Sequence, residues 1–122
     1  MDKKIYKDVD SFVIVRSKWL RGSEGVLLDD SGKKCCLGFY ATSCEIKDED
    51  ILGVPSPASL INNKSVIWET KLLELYNNYY RPTGGCRDAI LMNDDLGISE
   101  ADREEDLIDT FNSMGIKLTF VD

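Results

Sequence analysis

The chain has 122 residues, of which 43% are hydrophobic and 30% charged, and a net charge of −7. These values are typical of one compact domain over residues 1–122 and exclude a disordered or fibrous chain. The acidic balance argues against direct binding of nucleic acid or of an anionic membrane, because such proteins present basic patches. The sequence contains no histidine, which removes the commonest general base and metal ligand. We therefore expect a protein that is not an enzyme and uses no cofactor.

The N-terminal residues are too polar to begin a signal peptide, and no apolar run approaches the roughly 18 residues of a membrane span. These observations predict a protein of the cytoplasm that makes no membrane contact. Because cysteines stay reduced in that compartment, the four cysteines are predicted to be free thiols.

In the first half of the chain, residues 12–15 are β-branched and aromatic, which predicts a short strand. Residues 26–28 and 33–36 flank a run of turn formers at 29–32, so the two flanks are predicted to pair as a hairpin. The second arm leads into a helix over 36–44, where apolar residues recur at three- and four-residue steps.

The middle of the chain has weaker patterns. Residues 47–65 contain glycine, proline and asparagine and predict a long surface connection with one helical turn. An apolar set predicts a helix over 66–78, which the turn-forming residues 79–85 end. The apolar piece at 89–92 fits a strand or a helix, because four residues do not show a period.

The last part of the chain carries the clearest local signal. Ser99 followed by Asp102 has the form of an N-cap with an acid three residues on, which predicts the start of a helix. Its apolar residues repeat at helical spacing as far as Gly115, a natural C-terminal stop. Residues 116–121 alternate in the way of a half-buried strand, and we expect this strand to pair with 12–15.

Together these elements predict an α+β fold. A small antiparallel sheet would contain the N-terminal strand, the hairpin and the C-terminal strand. About three helices, over 36–44, 66–78 and 99–114, would pack against it. The two terminal strands would leave a sheet edge unpaired, which would permit a homo-oligomer.

Three segments stand out as a set: WLRG at residues 19–22, GKKCCLGF at 32–39 and NDD at 93–95. This set resembles small uncharacterised proteins that bacteriophages and prophages encode. The resemblance implies a phage accessory protein, and such proteins frequently inhibit host defence systems by binding a host protein or a small signalling nucleotide. It brings no established chemistry with it, because a shared fold does not define a function.

A candidate nucleotide site lies in the first 22 residues, which hold six bases and three acids. Arg16 and Arg21 offer rigid forks for phosphate, and Trp19 between them offers a flat stacking face. Asn93 and Asp94 are candidates for the polar wall of the same ligand-binding pocket. The alternative is that Trp19 belongs to the core and the arginines pair with surface acids.

A candidate partner-binding face follows Ser99, where six acids and one base lie within residues 99–109. Such a face could occupy a host defence protein, or mimic nucleic-acid phosphates in a basic groove of a host enzyme. The alternative is a solvated helix face. The candidate partner-binding residues are Glu100, Asp102, Glu104, Glu105 and Asp109.

Metal sites have little support in the residue spacing. The cysteines lie one, eight and forty-two residues apart, unlike the close pairs of zinc sites, so we expect them to be small core residues. The run 93–97 places Leu96 where a calcium loop needs an oxygen ligand. The cysteines are Cys35, Cys36, Cys44 and Cys86.

An enzyme of another class stays open as an alternative. Asp94 and Asp95 with Glu45, Glu49 or Glu69 could supply paired carboxylates to a metal-dependent nucleotide hydrolase. Nothing in the sequence shows that two of these carboxylates meet.

Overall fold

The structure is a computed structural model and describes residues 4–23, 25–63 and 66–122. It confirms the predicted α+β class. The strands are β1 (Ile5–Lys7), β2 (Ser11–Val15), β3 (Ile67–Glu69), β4 (Leu73–Tyr76), β5 (Tyr79–Pro82) and β6 (Lys117–Val121). The helices are α1 (Cys36–Ser43), α2 (Asp48–Ile51), α3 (Pro57–Asn62), α4 (Gly84–Asp94) and α5 (Glu100–Ser113), and a 3-10 turn spans Arg16–Lys18. None of the described helices is long and apolar enough to cross a membrane.

The described strands form three two-stranded sheets rather than one antiparallel sheet. The predicted pairing of the N-terminal and C-terminal strands is confirmed, with Phe12 opposite Leu118 and Ile14 opposite Phe120, but β2 and β6 run parallel. β1 and β3 are also parallel, and only β4 and β5 are antiparallel. A parallel pair needs a long crossover. Here the crossover is the chain from residue 16 to residue 116. Strand direction therefore follows from the tertiary path and not from a local turn.

Of the predicted hairpin over 26–36, the structure contains the turn but not the pairing of the two flanks. The Asp29 amide donates to the Lys33 carbonyl over 2.8 Å, and Asp29 Oδ1 accepts from Ser31 and from the Lys33 amide. The flanks do not pair with each other, because each finds another partner: Leu28 bridges to Leu52, and residue 34 bridges to residue 19.

The predicted helix over 66–78 is wrong, since these residues form β3, β4 and the start of a hairpin turn. Burial alternates along β3, with Trp68 inward and its neighbours outward. Asn77 and Asn78 both have positive φ, 48° and 68°, which is the geometry of the two-residue turns that join hairpins. Residues 79–82 therefore form β5 instead of a break. The connection 47–63 contains two short helices where one turn was predicted, and residues 64 and 65 lie outside the described residues.

The helix predicted after Ser99 is confirmed as α5. Ser99 Oγ accepts a hydrogen bond from the Asp102 amide over 3.2 Å, as an N-cap does. The helix ends shortly before Gly115, whose φ of 76° suits a residue without a side chain. The ambiguous piece 89–92 is helical and belongs to α4, which Thr83 caps through the Cys86 amide.

The core lies where β2 and β6 pack on α1 and α5. The Phe12 ring makes edge contacts with Tyr40 and Phe111, with centroids 5.1 and 4.9 Å away. α1 approaches the 26–28 segment so closely that a Cβ at Gly38 would lie 1.8 Å from the Leu27 carbonyl oxygen. The second glycine of the GKKCCLGF segment is therefore required by packing.

Candidate functional site

Arg16 lies in the 3-10 turn after β2 and binds carboxylates of this same chain. Its Nε lies 2.8 Å from Glu104 Oε2 and its Nη2 2.7 Å from Oε1, while Nη1 lies 2.9 Å from Asp122 Oδ1. The pKa of Glu104 is lowered from its ordinary value, mainly by the bidentate hydrogen bonds from Arg16. The planar fork predicted to hold phosphate thus already holds a carboxylate.

Trp19 is 3% exposed and lies beneath Arg21. The Trp19 ring centroid is 4.9 Å from that of Phe120 and 4.5 Å from the guanidinium carbon of Arg21. Arg21 also binds Glu100 through Nε and donates to two backbone carbonyls. This geometry matches the alternative in which Trp19 belongs to the core and the arginines pair with acidic side chains. Trp19 does not present the open stacking face that the nucleotide site requires.

Asn93 is 1% exposed and joins three parts of the chain. Its Oδ1 accepts from Trp19 Nε1 over 2.8 Å and from the Cys36 amide over 3.0 Å. Its Nδ2 donates over 3.0 Å to the Leu20 carbonyl and over 3.0 Å to Asp94 Oδ1. Because an amide side chain offers two donor hydrogens and two acceptor positions, every one of them is in use. Asn93 positions the structure around it and has nothing left for a ligand.

Arg103 is a buried arginine that sequence reasoning missed. Its Nη1 donates to two carbonyl oxygens at the C-terminal end of α4, 3.0 and 2.9 Å away, and its Nε donates to Glu100. The signal for it was spacing: Arg103, Leu107 and Phe111 lie four residues apart, so the arginine continues the buried stripe of α5. We call the whole cluster the polar junction: Arg16, Trp19, Arg21, Asn93, Glu100, Arg103 and Glu104.

The predicted ligand-binding residues and two of the predicted partner-binding residues therefore meet each other. Glu100 and Glu104 bind arginines of the polar junction. The three others, Asp102, Glu105 and Asp109, are exposed on α5. They form a solvated acidic face next to the junction.

The four cysteines are buried free thiols of the core. Burial raises the pKa of Cys35 and Cys44 to about 11, that of Cys86 to about 12, and that of Cys36 well above its ordinary value. Because the thiolate is the reactive form, burial keeps them unreactive near neutral pH.

Within residues 4–23, 25–63 and 66–122, no three cysteine or acidic side chains come together in a way that could hold a metal ion. The carboxylates considered for a hydrolase do not form such a group either. Asp95 instead accepts a hydrogen bond from the Gly97 amide over 2.7 Å, which closes a turn.

An opening lies in the region predicted to be helix. We call it the β3 cleft; its volume is about 700 Å³, within the range of about 300–1,000 Å³ common to ligand sites. β3 forms one side, and α3 with the β4–β5 hairpin forms the other. The lining residues are Ile61, Asn62, Val66, Ile67, Trp68, Glu69, Thr70, Leu73, Asn78 and Tyr80.

The β4–β5 hairpin carries four large exposed side chains, and we call it the aromatic hairpin. Leu75 is 64% exposed, Tyr76 45%, Tyr79 49% and Tyr80 38%. Tyr76 and Tyr79 pair across the strands with centroids 6.2 Å apart, and the Arg81 guanidinium stacks 4.3 Å from the Tyr76 ring. Tyr80 also lines the β3 cleft, whereas Tyr76 and Tyr79 do not.

No protein-family model matches this sequence, no curated protein is significantly similar to it, and no solved structure is significantly similar to its fold. The resemblance to phage and prophage proteins stays a prediction from the sequence segments.

Proposed function

We propose that this chain is a non-enzymatic binding protein, encoded by a phage or prophage, that inhibits a bacterial defence system by occupying a host protein. The aromatic hairpin is the observation that carries the proposal. Its four large side chains lie exposed around a two-residue turn. Exposed apolar patches on soluble proteins mark interaction sites. The phage and defence parts of the proposal rest on the resemblance of the three sequence segments.

The chemistry of the aromatic hairpin suits a protein partner. Tyrosine and arginine are enriched among the residues that dominate binding energy, because each combines a large contact area with a polar group. Arg81 is held against Tyr76 by stacking and by a 3.0 Å salt bridge to Glu74. These two contacts restrain the Arg81 side chain, and restraint before binding lowers the entropy cost of binding.

A protein partner is favoured over a small nucleotide because the phosphate-binding groups are in use. Arg16 and Arg21 are paired with glutamates in the polar junction. In the β3 cleft, Glu69 is the one charged side chain among the described lining residues. A carboxylate repels phosphate, so the cleft is suited to a neutral or basic group.

The proposal is tested by infection of bacterial strains that each carry one defence system and express this chain. We expect the wild type to restore phage growth in at least one strain. A Tyr76→Ser/Tyr79→Ser variant should lose that effect, because removal of two central aromatic contacts weakens binding by about a hundredfold. Leu96→Ser is the matched control, since Leu96 is 83% exposed and lies outside the hairpin.

Three results would overturn the proposal or a part of it. Failure to restore phage growth in any strain would contradict the inhibitor role. A thermal shift with mono-, di- or cyclic nucleotides would replace the host protein by a nucleotide signal, since a ligand at 100 times its dissociation constant stabilises the native state by about 2.7 kcal/mol. Retained activity of the double variant would remove the aromatic hairpin as the contact surface.

A further inference from the structure

The β3 strand has one paired edge and one free edge among the described residues. Its residues pair in parallel register with β1, and the sheet contains these two strands. Five consecutive residues, 66–70, line the β3 cleft. Because successive side chains of a strand point to opposite faces, an opening that touches every residue in a row runs along the backbone edge. The cleft therefore exposes the free edge of β3.

The opposite wall of the β3 cleft is held in place by a pair of hydrogen bonds. Asn62 Nδ2 donates to the Tyr80 carbonyl over 2.8 Å, and the Tyr80 amide donates to Asn62 Oδ1 over 2.8 Å. This pair fastens α3 to β5. The cleft is thus preformed, with a strand edge on one side and a fixed wall on the other.

The lining of the cleft defines the chemistry of its occupant. Ile67, Leu73 and Tyr80 supply apolar surface, and Glu69 supplies a carboxylate at the end of β3. Glu69 makes no salt bridge to a described residue. A single carboxylate in an apolar cleft, on a chain of net charge −7, attracts a lysine or arginine.

We propose that an extended segment of the partner protein adds as a strand to the free edge of β3 and places a lysine or arginine against Glu69. Main-chain hydrogen bonds give such strand addition its affinity, and side-chain pockets give it specificity. β3 has three residues, and at about 3.3 Å per residue it accommodates a segment of about three to five residues. The inference rests on the proposed function, since it names the part of the partner that the binding surface receives.

The test is selection of a displayed library of random dodecapeptides on the 122-residue chain. We expect enriched peptides to combine apolar residues with lysine or arginine. They should bind a Glu69→Lys variant at least about tenfold more weakly than the wild type. Glu105→Lys is the matched control: it changes the net charge equally at an exposed site on α5 and should bind like the wild type.

Backbone pairing is tested with synthetic copies of the best peptide in which single amides are N-methylated. Methylation at alternate positions should abolish binding, because a strand directs every second amide to its neighbour. On binding, every second amide within residues 67–70, those directed to the free edge, should also exchange more slowly with solvent. Equal tolerance of methylation at all positions would overturn strand addition, and absence of enriched basic peptides would overturn the choice of occupant.

Failure here is distinguishable from failure of the proposed function. Tyr76 and Tyr79 do not line the β3 cleft, so the Tyr76→Ser/Tyr79→Ser variant should retain peptide binding while it loses inhibition. Sedimentation could instead show a dimer that the Glu69→Lys variant dissociates. That result would overturn the inference, because the occupant of the cleft would be a second copy of this chain. If inhibition depends on the aromatic hairpin but no peptide binds, strand addition to β3 is contradicted and the proposed function is retained.

Discussion

The polar junction and the aromatic hairpin use their side chains in opposite ways. In the junction, groups that could bind a ligand bind each other: Arg16 holds Glu104, Arg21 holds Glu100, and Asn93 uses all its hydrogen-bonding positions. In the hairpin, large apolar side chains that could have been buried remain exposed. Charged and polar residues are thus structural in one region, while apolar residues are available for function in the other. Residue type alone does not separate the two roles.

The largest effect is expected from Asn93→Ala in the polar junction. The change leaves the Trp19 indole N–H and the Cys36 amide without acceptors inside the protein. Each buried orphan donor costs about 1–3 kcal/mol, so the free energy of unfolding should fall by at least about 2 kcal/mol in urea titrations. Asn112→Ala, at an exposed position of α5, should change it by less than about 0.5 kcal/mol. A loss below about 1 kcal/mol at Asn93 would show that water replaces the amide.

A smaller effect, dependent on pH, is expected from the Arg16–Glu104 pair. The folded-state pKa of Glu104 is lowered from its ordinary value of 4.5, first by the hydrogen bonds from Arg16. The stability from this pair is therefore present above that value and is lost as pH falls through the folded pKa. Glu104→Gln should be less stable than the wild type at about pH 7, and the difference should shrink at about pH 3.

The control for this prediction is Glu105→Gln, which alters the exposed neighbouring carboxylate on α5. Its difference from the wild type should stay within about 0.5 kcal/mol at both pH values. If the difference between Glu104→Gln and the wild type is independent of pH, the pair contributes through packing rather than through charge.

The smallest effect on stability is expected in the aromatic hairpin, from Tyr76→Ser/Tyr79→Ser. The two rings contact each other and are about half exposed. Since a cross-strand aromatic pair contributes about 0.2–1 kcal/mol, the free energy of unfolding should fall by no more than about 1 kcal/mol. Urea titration beside Asn93→Ala measures the contrast directly. A loss as large as that of Asn93→Ala would make the hairpin a structural element and erase the difference between the two regions.

The elements predicted correctly are those whose signals are local. Ser99 caps α5 because its hydroxyl needs only the amide three residues on, and Gly115 ends it because of its own backbone angle. The predicted helix over 66–78 failed because its leucines fit helical spacing, while Asn77 and Asn78, adjacent residues that tolerate positive φ, carried the hairpin signal. The cleft and the aromatic hairpin lie in that misassigned region. They were missed as a site for this reason.

The candidate nucleotide site shows that residue types near one another in the sequence do not reveal their partners in the fold. Arg16 and Glu104 lie 88 positions apart, and Trp19 and Asn93 lie 74 apart. Arg103 could have been placed inward from its spacing with Leu107 and Phe111. The partners of Arg16 and Trp19 could not have been predicted, because no local pattern links such distant positions.

The sequence by itself determined that this chain is acidic and of the α+β class, with a capped C-terminal helix and a half-buried final strand. Tertiary structure decided that the expected pairing of this strand with β2 is parallel, that Arg16 and Arg21 face glutamates, and that the tyrosines of the aromatic hairpin stay outside. The physical reason is the range of the forces that set each feature. Caps, turns and periodic burial act over a few residues, whereas the partner of a charge and the exposure of a ring depend on which distant segments the fold brings together.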